Sequence, residues 1–111
     1  MGMVIKSVHR YEIWLVQLDP TQGAEMKKTK PCVVISPDEM SGLKTVIVAP
    51  MTSKGFRYPT RIPCTFQGKK GLILLDRMRA VDKSRLIQKM GVISQSAQIK
   101  TINCLQELFA D

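Results

Sequence analysis

The chain has 111 residues, 44% of them hydrophobic, which suits one domain with one core and leaves too little for two. No apolar run approaches the roughly 20 residues needed to cross a bilayer, and the start, Met1 to Arg10, mixes charge into every turn, so the expected location is the cytoplasm. Seventeen Lys and Arg against nine Asp and Glu give a net charge of +8, which favours polyanions and acidic partners without specifying any chemistry.

Tyr11-Glu12-Ile13-Trp14-Leu15-Val16-Gln17-Leu18 opens the fold as a strand, Ile13, Leu15 and Gln17 alternating with Glu12, Trp14 and Val16. Trp14 belongs to the core or to an interface between copies. Asp19-Pro20 ends the strand, and a long connection over 22–29 follows, carrying Gly23, Glu25, Lys27 and Lys28. Next comes Lys30-Pro31-Cys32-Val33-Val34-Ile35-Ser36-Pro37. Two prolines bracket a four-residue apolar run, the pattern of a short strand buried on both faces, with Lys30 held at its mouth. Residues 37–42 have room for one helical turn or a loop. Val46-Ile47-Val48-Ala49-Pro50-Met51-Thr52 repeats the apolar-proline-exit pattern with a hydroxyl at its end. The loop over 51–59 holds Thr52, Ser53, Lys54, Arg57 and Tyr58.

Arg61-Ile62-Pro63-Cys64-Thr65-Phe66 is expected as an edge strand because of Pro63, and Gln67-Gly68-Lys69-Lys70-Gly71 as a hairpin with its lysines at the tip. Leu72-Ile73-Leu74-Leu75 is a buried strand that 76–81 continues, Met78 and Ala80 on one face and Arg77 and Arg79 on the other. Asp76 is expected to pair with Arg77 or Arg79. A turn at 82–84 leads to a last strand over 85–92. Ser94 or Ser96 then caps a helix running to about Ala110, with Ile99, Ile102, Leu105, Leu108 and Phe109 as its core-facing stripe. Short strands, one terminal helix and no βαβ alternation predict a mostly β (α+β) fold, a small antiparallel barrel. Cys32, Cys64 and Cys104 show no paired spacing, and His9 is a surface residue without ligands at metal spacing, so neither a disulfide framework nor a metal or cofactor site is expected.

Several of these segments, in order and spacing, resemble one family. Glu12-Ile13-Trp14-Leu15-Val16 and Asp19-Pro20-Thr21-Gln22-Gly23-Ala24-Glu25 are similar to the opening of the MazF/PemK toxins. The likeness continues through Lys30 to Ser36, Val48 to Thr52, Tyr58-Pro59, Gly71 to Asp76 and Arg79 to Leu86. The resemblance implies an SH3-like barrel and a homodimer. It also implies a ribosome-independent, metal-free endoribonuclease that cuts single-stranded RNA at short sequence motifs and is neutralised by an acidic antitoxin of the MazE/PemI kind. The family's catalytic pair is an arginine just before the first proline and a threonine after the second proline-terminated strand. Thr52 matches the threonine, whereas Lys30 stands where the arginine is expected. Glu25 is the candidate base, or a partner for Lys27 or Lys28. Lys27, Lys28, Ser53, Lys54, Arg57, Tyr58 and Arg77 are the expected RNA contacts. Two alternatives accompany this reading. One is a catalytically weakened RNA-binding relative, because of Lys30. The other is a gyrase poison of the same fold, the CcdB type, against which the ending Leu108-Phe109-Ala110-Asp111 counts, since that type depends on Trp-Gly-Ile.

Overall fold

The computed structural model describes residues 7–19 and 28–110. Seven strands among them run β1 (Glu12–Asp19), β2 (Lys28–Val34), β3 (Thr45–Thr52), β4 (Arg61–Phe66), β5 (Lys69–Leu74), β6 (Arg79–Asp82) and β7 (Leu86–Val92), followed by the helix α1 (Gln95–Leu108). All pairings are antiparallel, in the order β4-β5-β3-β2-β1-β7, with β6 also on β3. The sheet curls into a half-barrel closed by the helix, as the mostly β reading anticipates.

The central strands bury both faces, as the bracketed apolar runs predict. Val33, Ile35, Ala49 and Met51 enter a cluster with Ile73, Leu75 and Ala97 of the helix. The alternate residues Cys32, Val34, Val46 and Val48 enter a second cluster with Val16, Val81 and Leu86. β1 is two-sided as well: Ile13 faces the first cluster and Trp14 and Val16 the second. Trp14 is therefore core.

Proline positions decide where the ladders break. The Ile35 N–H bonds the Ile47 carbonyl, so alternation aims the backbone polar groups of 33 and 31 at β3, and those of 48 and 50 at the opposite edge of that strand. Pro31 thus withholds an N–H from the β2–β3 seam, and the register Val34↔Val48, Val33↔Ala49 stops at Cys32↔Pro50. On the other edge of β3, β5 pairs at Met51 and Thr52, and β6 from Val48 back to Thr45. Between them a 3-10 turn, Leu75–Arg77, sits opposite the missing N–H of Pro50. This corrects the expectation of one continuous strand from 72 to 81. In β6 the inward residue is Val81, while Ala80 is exposed beside Arg79.

Two further expectations need correction. The β4–β5 hairpin turns on two residues only, Gln67 and Gly68, with φ of 52° and 77°, and its lysines belong to β5. Ser94 caps α1 by accepting the Ala97 N–H at 3.2 Å, but the face turned to the core is Ala97 and Thr101 with Cys104 and Leu105. That face is rotated by roughly a quarter-turn from the predicted stripe. Ile99 and Phe109 are 52% and 71% exposed. The helix crosses β4, and small residues on the contact line let it lie close, so the bulkier side chains face away.

Two consequences for stability follow. The buried Thr101 hydroxyl has no hydrogen-bond partner among the described residues. Thr101→Val keeps the shape and removes the unsatisfied group, so it should raise stability by about 1 kcal/mol, read as an increase in Tm. The Glu12 carboxylate, 5% exposed, accepts the His9 N–H at 2.9 Å and the Trp14 indole N–H at 2.9 Å, and pairs with Lys89 at 3.0 Å. Burial opposes its ionisation, but these donors prevail and hold the carboxyl below its ordinary value. A depressed folded-state pKa stabilises above the unfolded value and is lost as pH falls through the folded one. Melting temperature should therefore fall on acidification below the ordinary carboxylate range, and Glu12→Gln should flatten that fall in a pH series of melts.

Candidate functional site

Where β2 and β3 part beyond Cys32 and Pro50, a groove of about 380 Å³ opens. One wall is Lys30 and Pro31 from β2 with Met51 and Thr52 from the end of β3 and Ser53 just beyond it. The other is the β4–β5 hairpin, with Phe66, Gln67, Lys69, Lys70 and Gly71. Lys30 and Thr52, far apart in the chain, thus line one cavity. Extending the β2–β3 register by two residues sets them opposite one another, which in an antiparallel pair means side chains on one face.

Lys30 is exposed and Thr52 half-buried. The Thr52 Oγ1 accepts the Lys54 N–H at 3.1 Å. This local bond, common for a threonine at a strand end, fixes the oxygen and leaves the hydroxyl hydrogen available to donate. Gly71 makes the arrangement possible: a Cβ there would lie 2.8 Å from the Thr52 carbonyl oxygen. Only glycine lets β5 pass so close. Beneath the groove, burial pushes the Cys32 thiol up to about 12, despite the positive charges of Lys30 and Arg79, so it is a neutral core group. Cys64 and Cys104 are half-buried, and all three cysteines are free.

A second groove, of about 630 Å³, adjoins the first across Ser53, Lys70 and Gly71 and carries Lys54 and Arg57. Of the residues expected to contact RNA, Ser53, Lys54 and Arg57 therefore line these two grooves. Tyr58 does not; it borders a third depression, where the Arg61 guanidinium lies 5.1 Å from its ring centroid. Lys28 and Arg77 are exposed but line neither of the two grooves. Glu25 and Lys27 lie outside the described residues.

Asp76 pairs with Arg61, not with Arg77 or Arg79. Arg61 Nε and Nη2 each reach a carboxylate oxygen at 3.3 Å, and the Thr60 hydroxyl donates at 3.1 Å. The cause is the Leu75–Arg77 turn, which swings Asp76 toward the Arg61↔Leu74 pair. The Arg61 contact holds the Asp76 carboxyl below the usual range, so it is an ionised structural partner. His9 is exposed and lies 3.5 Å from Asp38. Sequence reasoning missed Lys69, Lys70 and Gly71 as groove residues. The glycine-flanked lysine pair is visible, but what it packs beside depends on the β3–β5 register.

Comparison with known proteins adds the decisive observation. Residues 9–109 match the model of the PemK-like, MazF-like toxins of type II toxin–antitoxin systems. The chain belongs to this family. It is 32% identical over 105 residues to the Staphylococcus epidermidis protein named endoribonuclease MazF, with 88% of each chain covered. Among solved structures it is similar to MazF from Deinococcus radiodurans, with a TM-score of 0.73 at 22% identity, covering 91% of this chain and 94% of that one. It is also similar to a mycobacterial endoribonuclease solved with its cognate antitoxin, with a TM-score of 0.77 at 16% identity and 91% and 93% covered. Those structures share the fold of this MazF/PemK member. No helix among its described residues is long and apolar enough to cross a membrane.

Proposed function

We propose that this protein is an endoribonuclease toxin that cleaves single-stranded RNA at short sequence motifs, with Lys30 and Thr52 acting on one phosphodiester. The observation that carries the reading is their shared groove. RNA brings its own nucleophile in the 2′-hydroxyl. That oxygen attacks the adjacent phosphorus, the bond to the 5′-oxygen breaks, and the products are a 2′,3′-cyclic phosphate and a 5′-hydroxyl. Negative charge builds on the non-bridging oxygens, where the Lys30 ammonium and the Thr52 hydroxyl hydrogen stabilise it. Lys30 also donates a proton to the departing 5′-oxygen. The Lys54 N–H bond holds the Thr52 oxygen in place for this donation.

Glu25, which the resemblance offers as the base for the 2′-hydroxyl or as a partner for Lys27 or Lys28, is the candidate we assign to that deprotonation. The cationic walls also suit an acidic segment of a cognate antitoxin, and the mycobacterial endoribonuclease of the same fold was solved in complex with its cognate antitoxin. As with the family resemblance, we infer a homodimer acting in the cytoplasm. Incubating the purified protein with a long single-stranded RNA in EDTA tests the whole reading. Discrete fragments ending in 2′,3′-cyclic phosphates are expected. Binding without cutting would make it the weakened relative, and a protein that neither binds nor cuts would not act on RNA at all.

A further inference from the structure

We infer that Lys70 is a phosphate-binding residue placed next to the reacting linkage, and that it hands the RNA strand from the Thr52 groove into the larger groove beyond. The inference deepens the endoribonuclease reading and rests on it.

Strand parity singles out this lysine. Thr52 pairs with Leu72, so their side chains share a face, and Lys70, two residues back along β5, shares it too. Lys69 takes the opposite parity with Gly71 and Ile73, the face on which Ile73 is buried. Lys30, Thr52 and Lys70 therefore project on one side of three neighbouring strands. The contact of Gly71 with the Thr52 carbonyl brings the β5 backbone against β3 at this point.

Among the described residues, Lys70 is also the one cation bordering both grooves, and the larger groove continues with Lys54 and Arg57. Neither groove has a described Asp or Glu in its lining, so the charge along the path is of one sign. A strand seated with its scissile linkage at Thr52 must leave over a wall, and this wall carries Lys70, with Lys54 and Arg57 in the groove beyond. An ammonium suits this position, because a neighbouring phosphate needs a point charge and not the bidentate contact of a guanidinium. Continuity with the Thr52 groove favours a polyphosphate strand over an acidic peptide.

The test uses the intact protein and all-deoxy single strands of 4 and 12 nucleotides, which lack the attacking hydroxyl, with affinity followed by anisotropy across a salt series. The 12-mer should bind at least about tenfold tighter than the 4-mer. Lys70→Gln should reduce the salt slope by about 0.7 and weaken the 12-mer roughly five- to tenfold at 50 mM salt. Lys54→Gln combined with Arg57→Gln should remove the length advantage, and the remote Lys44→Gln should leave binding unchanged. Equal affinity for the two lengths, or a Lys70→Gln slope equal to that of the Lys44→Gln control, would overturn the inference. So would Lys70-dependent binding of a polyglutamate peptide with none of the oligonucleotides. Cleavage of a matched RNA separates the two levels: cutting indifferent to Lys70→Gln leaves the nuclease and removes this residue's role. Lys70-dependent binding without cutting does the reverse.

Discussion

Gly71→Ala is expected to lower the single-turnover cleavage rate about 100-fold while the chain still folds. The substitution adds one methyl group, yet that carbon would stand 2.8 Å from the Thr52 carbonyl oxygen, a distance no relaxed contact adopts. The obstacle is backbone, not the end of a flexible side chain, so β3 must move away from β5 at Thr52. Displacing a reacting group by about 1 Å costs on the order of 100-fold in rate. Overpacking at this one point should destabilise by about 1–3 kcal/mol, visible as a lower Tm with the folded spectrum retained. Gly42→Ala is the matched control, since a Cβ there meets nothing within 4 Å. A Gly71→Ala protein that cuts RNA within threefold of the wild-type rate would show that the position of Thr52 is not set by this contact or does not matter.

Lys30 should give the largest loss when removed and a gain when enlarged. Lys30→Ala is expected to lower cleavage by about 100- to 1,000-fold, the usual consequence of deleting one donor to a developing oxyanion. It should leave the melting temperature unchanged, because the side chain is exposed. Lys30→Arg is expected to raise the rate. A guanidinium engages two phosphate oxygens with parallel N–H bonds, where an ammonium acts as a point charge. The groove mouth gives the longer side chain room, since the β2–β3 ladder has already ended at Cys32↔Pro50. A Lys30→Arg protein no faster than wild type would remove Lys30 from the proposed role.

Much of the framework is legible in the sequence because it is local. The prolines around Cys32-Val33-Val34-Ile35 mark a strand buried on both sides, and those four residues are 0 to 4% exposed. Pro63 marks an edge strand, Ser94 marks the helix start, and the matching ends of β2 and β3 suggest that Lys30 and Thr52 meet. What escapes depends on register. The partner of Asp76 is Arg61, fifteen positions away, and only the β4–β5 pairing with the Leu75–Arg77 turn brings them together. The helix face escapes because hydrophobicity alone favours Ile99 and Phe109, while close packing on β4 selects Ala97, Thr101 and Cys104. Lys70 shares a face with Thr52 only through the Thr52↔Leu72 pair, and no local pattern encodes that.

The claim that an ammonium and a hydroxyl serve the same phosphodiester is most directly tested by a double-mutant cycle on single-turnover RNA cleavage, using Lys30→Ala, Thr52→Val and the combination. Groups that stabilise one transition state act as a unit, so the double variant should be within a few-fold of the slower single variant. Losses that multiply across the cycle, or a Thr52→Val protein that cleaves at the wild-type rate, would contradict it.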